Sequence, residues 1–152
     1  MPEKCLIGKG CEFNFVPTVV TTIAPNQTVV FNQHFQNNTK CEIDERCRCE
    51  KEFFIFNHLN TDKIVLKKRG RYTFDVTVET TPAINTVVAI IDESNEAKIP
   101  LFTGTNGTVS MTVPEIGSIV RLKNVGTVPI VLTPGADTSV PLVIVTITYE
   151  GI

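Results

Sequence analysis

Along residues 50–152 the chain repeatedly alternates apolar and polar positions with a period of two. In residues 71–79, Tyr72, Phe74, Val76 and Val78 fall on one side, and Thr73, Asp75, Thr77 and Glu79 on the other. That pattern predicts a half-buried strand, with Gly70 as the turn before it. In residues 142–149 one side carries Val143, Val145, Ile147 and Tyr149, and the other Leu142, Ile144, Thr146 and Thr148. Neither side is charged, so this strand is expected to be central in a sheet or to face another subunit.

Further short strands are predicted at 86–92, 97–102, 107–113, 118–124 and 128–132. Turn residues separate them, among them Pro114-Glu115-Ile116-Gly117, Asn124-Val125-Gly126 and Pro134-Gly135. The Asn106-Gly107 pair predicts a type I′ hairpin turn. Upstream, 53–57 and 63–66 are probable-strand patterns by the same rule, and 18–23 and 28–31 form a pair joined at Pro25-Asn26. Evenly spaced short strands without a helical period predict an antiparallel β-sandwich of jelly-roll type.

Composition strengthens this reading. The chain of 152 residues holds 20 Thr, 19 Val and 15 Ile against 7 Leu and 5 Ala. β-branched side chains suit a pleated surface, whereas Leu and Ala favour helices. The formal net charge of −2 lacks the basic excess that phosphate neutralisation needs. Aromatic residues are 7% and Trp is absent, which argues against a base-stacking platform. No signal-peptide core and no apolar run of about 18 residues is present, so neither export by a leader nor a membrane span is expected.

The cysteines change the picture of organisation. Cys5, Cys11, Cys41, Cys47 and Cys49 all lie in the first third of the chain. The expected division is an extended connector arm at 1–16 and a jelly-roll domain at 17–152, with a cysteine-rich surface loop at 36–50. Three uses of the thiols compete. Cys41, Cys47 and Cys49 with His34 or His58 could supply four zinc ligands, but the one-residue spacing of Cys47 and Cys49 does not match a knuckle. Cys41 could close a small loop with Cys47 or Cys49. The odd count leaves at least one thiol over, and Cys5 and Cys11, placed on an arm, are the favoured intermolecular disulfide positions. No metal and no cofactor is expected.

Other chemistry is thin. His34 and His58 have no nucleophile motif beside them, and acidic pairs such as Asp92-Glu93 lie in turns. The basic cluster Lys67-Lys68-Arg69-Gly70-Arg71 reads as a solvated edge. Asn26, Asn37 and Asn106 each start an Asn-x-Thr pattern of the kind that Asn/Thr-rich turns produce by chance. An enzyme is not expected.

Two stretches carry a resemblance: Gly70-Arg71-Tyr72-Thr73-Phe74-Asp75-Val76, and Gly117-Ser118-Ile119-Val120-Arg121-Leu122-Lys123-Asn124-Val125-Gly126. They resemble strands of complement/TNF-like jelly-roll domains of bacterial spore-surface proteins. A cysteine-bearing N-terminal region before such a domain is similar to subunits of Bacillus endospore appendages. The resemblance implies stacking by sheet augmentation and connector cysteines bonded to neighbouring subunits, with Cys5 and Cys11 in that role. The adjacent cysteine pair of that family is absent here, and Cys41, Cys47 and Cys49 have no counterpart. On this reading the chain is a structural subunit of a disulfide-crosslinked, pilus-like fibre or ring stack. It would assemble in the mother cell and reach the spore surface. Its partners would be its own copies, with other spore-coat or exosporium proteins as further candidates, and with no nucleic acid and no membrane. The alternative is a trimeric complement/TNF-like head that recognises a partner or glycan.

Overall fold

The computed structural model describes residues 10–36, 54–55, 61–92, 96–101 and 106–152. They form twelve strands: β1 Gly10–Phe15, β2 Thr21–Ile23, β3 Gln33–Gln36, β4 Phe54–Ile55, β5 Ile64–Leu66, β6 Gly70–Val78, β7 Thr86–Ile91, β8 Glu96–Leu101, β9 Asn106–Val113, β10 Ser118–Asn124, β11 Ile130–Leu132 and β12 Val143–Gly151. One sheet has the order β3-β1-β12-β6-β9 and the other β4-β5-β10-β7-β8. A two-stranded ribbon, β11-β2, closes one end. Every pairing is antiparallel. The chain crosses between the sheets after β3, β5, β6, β8 and β9, as a jelly roll does.

The alternation explains which faces meet. Tyr72, Phe74 and Val76 of β6, with Val143, Val145, Ile147 and Tyr149 of β12, are fully buried. They form one core with Ile64 and Leu66 of β5, Val88 and Ile90 of β7, and Val120 and Leu122 of β10. Each such side chain contributes about 1.5–3 kcal/mol relative to leaving it in water. β12 lies between β1 and β6, so the uncharged strand is central, as its two faces predict. Phe13 and Phe31 meet edge to face at 6.0 Å near the ribbon.

Two sequence expectations are corrected here. Residues 10–15 are not arm. Cys11 and Phe13 face the core, and β1 pairs with both β12 and β3. The sandwich therefore includes Gly10–Phe15, ahead of residue 17. Asn106-Gly107 is not a hairpin turn either. Both residues pair with Thr77 and Val76 of β6, because β8 and β9 belong to different sheets. The segment 28–31 makes only two isolated bridges, Thr28 with Lys123 and Phe31 with Thr61. The loop expected at 36–50 lies, beyond Gln36, outside the described residues.

Candidate assembly surfaces

The cysteines divide sharply. Cys11 is a free thiol, 1% exposed, within the core. Burial pushes the thiol well above its ordinary value, which keeps it protonated and unreactive. Its inward direction follows from the pleat, since Cys11 and Phe13 share the buried face of β1. An intermolecular bond through Cys11 would require β1 to leave the sheet. Cys5, Cys41, Cys47 and Cys49 lie outside the described residues, as does His58. His34 belongs to β3. Among the described residues no group of three His, Cys, Asp or Glu side chains could hold a metal ion.

Beside Cys11 two tyrosines stack edge to face, Tyr72 and Tyr149, with centroids 5.1 Å apart. Their hydroxyls leave the core and donate to the carbonyls of Lys68 at 2.6 Å and Arg69 at 2.8 Å. Burial, Tyr149 and Cys11 all push the Tyr72 phenol up. This satisfies two buried hydroxyls and fixes the basic loop. It builds no nucleophile.

The sandwich edges differ from one another. A strand edge is a template for another strand unless it is short, charged or broken by Pro. Among the described residues β3 has four and β4 two. β8 carries Glu96, Lys98 and Pro100. β9 is eight residues long, Asn-Gly-Thr-Val-Ser-Met-Thr-Val, with no charge and no Pro. It pairs along its whole length with β6 and ends its sheet among the described residues. Cross-strand contacts tie it to β6: Thr108 donates to the Asp75 carboxylate at 2.5 Å, and the Thr73 and Ser110 hydroxyls lie 3.3 Å apart.

Beyond the edges, a groove of about 640 Å³ lies at the β9–β10 turn, against Val65, Asp92, Ile116, Ile119 and Arg121. Asp92 accepts from the Ser118 hydroxyl at 3.4 Å, and Arg121 lies 3.5 Å from Asp62. The ribbon end exposes a third kind of surface. Val19, Val20, Val30, Val128 and Val131 all lie around β2 and β11, and all are exposed. The sequence reading predicts strands at 107–113, 18–23 and 128–132 but gives none of them a surface role. The uncharged runs in the sequence were the signal available for them.

No family model matches the chain, and no curated protein matches it. Among solved structures it is similar to the PRD1 vertex protein P5, at 14% identity and a TM-score of 0.50. The match covers 96% of this chain and 98% of that one. At that identity the likeness concerns the fold: the chain is an all-β sandwich of the kind seen in that vertex protein.

Proposed function

We propose that the chain is a structural subunit that self-assembles by strand addition at the edge of β9. The long, uncharged, unbroken β9 edge carries this reading, because among the described residues the other three sandwich edges are short or guarded. Two β9 strands meeting antiparallel would continue one five-stranded sheet into the next and pair two copies, and a second contact, the Cys5 link, would join the pairs into a polymer. Cys5, which precedes β1, is the proposed covalent link to a neighbouring copy. Cys11 is removed from that role by its burial. The fibre at a spore surface belongs to this proposal and rests on the family resemblance.

The test is the pair Thr108→Lys and Thr112→Lys, both exposed positions on β9. Wild-type chain should form polymers in electron micrographs, and the paired variant should not. Unchanged polymers from a folded variant would remove β9 from the assembly.

A second reading has its own observation. The fold likeness to a vertex protein fits a discrete head that binds a partner. It predicts a uniform small oligomer instead of a polymer.

A further inference from the structure

We infer that Asn106 is a site of spontaneous deamidation, and that its conversion to aspartate or isoaspartate closes the β9 edge to strand addition. The consequence rests on the β9 reading; the chemistry does not.

Asn106-Gly107 is the single Asn-Gly pair in the chain. For an asparagine to deamidate, the backbone nitrogen of the next residue must reach its side-chain carbonyl carbon. A Cβ on that next residue stands in the way. Gly107 has none, and its backbone turns freely. Among the described residues the other asparagines precede Phe15, Gln27, Gln33, Thr86 and Val125. Two of them, Asn14 and Asn124, are also buried, and the Asn32 amide is bonded at both ends to the Val16 main chain.

The fold adds access and freedom. Asn106 is exposed and lines a groove of about 520 Å³ with Thr77, Glu79 and Thr80, so water can enter and ammonia can leave. Its pair with Thr77 is the last rung of the β6–β9 ladder. Extended backbone holds the Gly107 nitrogen away from the Asn106 side chain, so this rung must open first. Terminal rungs open at little cost. Among the described residues β9 has β6 alone as a neighbour, so one ladder and not two holds Asn106.

The reaction balances with water as the one co-reactant. The Gly107 nitrogen loses its proton to solvent base and attacks Cγ of Asn106. The Cγ–Nδ2 bond breaks, and Nδ2 takes up a proton and leaves as ammonia. A five-membered imide remains. Water then adds to one of its two carbonyl carbons and breaks that carbon's bond to the Gly107 nitrogen. The product is aspartate or isoaspartate, according to the carbon attacked.

Both products spoil the edge. A strand without charge gains a carboxylate, in the groove that already holds Glu79. Charge on an edge strand is a guard against strand addition. Isoaspartate also inserts a carbon into the main chain, so the hydrogen-bonding groups at 106 and 107 lose the strand spacing. Six of the eight residues of β9 then remain usable. Copies already joined at β9 would hold Asn106 between two ladders and protect it. The site therefore limits how long a free subunit stays competent to assemble.

The experiment ages full-length wild type, Asn106→Gln, Gly107→Ala and Asn106→Asp as free subunits, with thermal melts to verify folding. Peptide mass spectrometry reads the gain of one mass unit at residue 106, and chromatography separates isoaspartate from aspartate. Wild type should convert at least about tenfold faster than Gly107→Ala, whose Cβ hinders the attack. Asn106→Gln, which keeps Gly107, should stay unconverted. Electron micrographs and sedimentation then read assembly. Aged wild type and fresh Asn106→Asp should associate about tenfold more weakly than Asn106→Gln, the scale of losing two cross-strand pairs. An Asn106 amide that persists in aged wild type overturns the inference and leaves the β9 reading untouched. If aged wild type and Asn106→Asp assemble as Asn106→Gln does while Thr108→Lys with Thr112→Lys does not, the closure falls and the β9 reading stands. If all of them assemble alike, or wild type forms no polymer, both fall.

Discussion

The side-chain amide of Asn124 donates to the carbonyl of Ile23, 101 residues earlier in the chain, at 3.0 Å and out of contact with water. The same amide donates to the Val128 carbonyl at 3.0 Å, and its oxygen accepts from the Gly126 N–H at 3.0 Å. One side chain thus bonds three backbone groups, of which the Gly126 N–H also donates to the Val87 carbonyl at 3.1 Å.

Replacing Asn124 by Ala removes this donor from the Ile23 and Val128 carbonyls, while the Gly126 N–H keeps the Val87 carbonyl. The expected cost is about 3 kcal/mol, since each buried polar group without a partner costs roughly 1–3 kcal/mol. For a chain of this length that lowers Tm by about 6–12 °C. Asn124→Asp should be at least as damaging, because a carboxylate oxygen would then face two carbonyls. Thermal melts of both variants decide this; a shift under about 2 °C would show that the clasp adds nothing.

Gly70 has φ +146°, and a Cβ there would meet the Tyr149 ring at 2.6 Å and the Gly151 carbonyl at 2.8 Å. Gly70→Ala should therefore destabilise by about 3 kcal/mol or more, as backbone strain of 1–3 kcal/mol adds to the clash. Trimming the ring with Tyr149→Leu should recover none of the backbone part. Denaturant midpoints of the two single variants and the double would show this. A neutral Gly70→Ala would refute it.

Adjacent residues at the β9–β10 turn should behave oppositely. Ile116 is 95% exposed, and Ile116→Asp should change stability by less than about 0.5 kcal/mol. Gly117 has φ +85°, and its Cβ would lie 2.7 Å from the Leu66 carbonyl. Gly117→Ala should cost about 2 kcal/mol or more. Equal melting temperatures for the two variants would contradict the geometry.

Cys11 gives the chain a dependence on alkaline pH. In the folded protein the buried thiol keeps its proton above the ordinary value of 9.0. The unfolded chain releases it there and binds fewer protons. Stability is therefore fully present below pH 9.0 and falls as pH rises beyond it. The slope is about 1.4 kcal/mol per pH unit. Tyr72, raised from 10.0, adds a second loss of the same sign above its ordinary value. Urea midpoints between about pH 8 and pH 11 should fall more steeply for wild type than for Cys11→Ala. Parallel curves would show that the thiol is not protected.

Oxidation offers a separate check on the cysteines. On non-reducing gels, cross-linked species should survive Cys11→Ala and disappear with Cys5→Ser. The reverse result would mean that β1 leaves its sheet during assembly.

The sandwich was legible wherever alternation ran long. The patterns at 71–79, 118–124 and 142–149 correspond to β6, β10 and β12 within two residues. Short or interrupted elements were not. Gly8 and Gly10 disguised β1, whose pairing comes from two distant strands. Asn106-Gly107 carries turn chemistry, but its place depends on a crossover between sheets that no local signal records. In 28–31 the faces alternate correctly, yet the Val29 N–H donates to Leu122 and the Phe31 N–H to Thr61, so no continuous strand forms. The candidate surfaces were harder still. An exposed valine and a buried one are the same letter, and only the pairing of β2 with β11 shows which lie outside.

The two tyrosine hydroxyls grip the main chain at Lys68 and Arg69, not their side chains. The corner of the molecule that bears the basic cluster is therefore shaped from within, by groups that ignore what is mounted on it. Exchanging the Lys68 and Arg69 side chains for neutral or acidic ones leaves those two carbonyl contacts available. At these two positions the electrostatic character of the corner can be rewritten while the tyrosines keep their grip on the main chain.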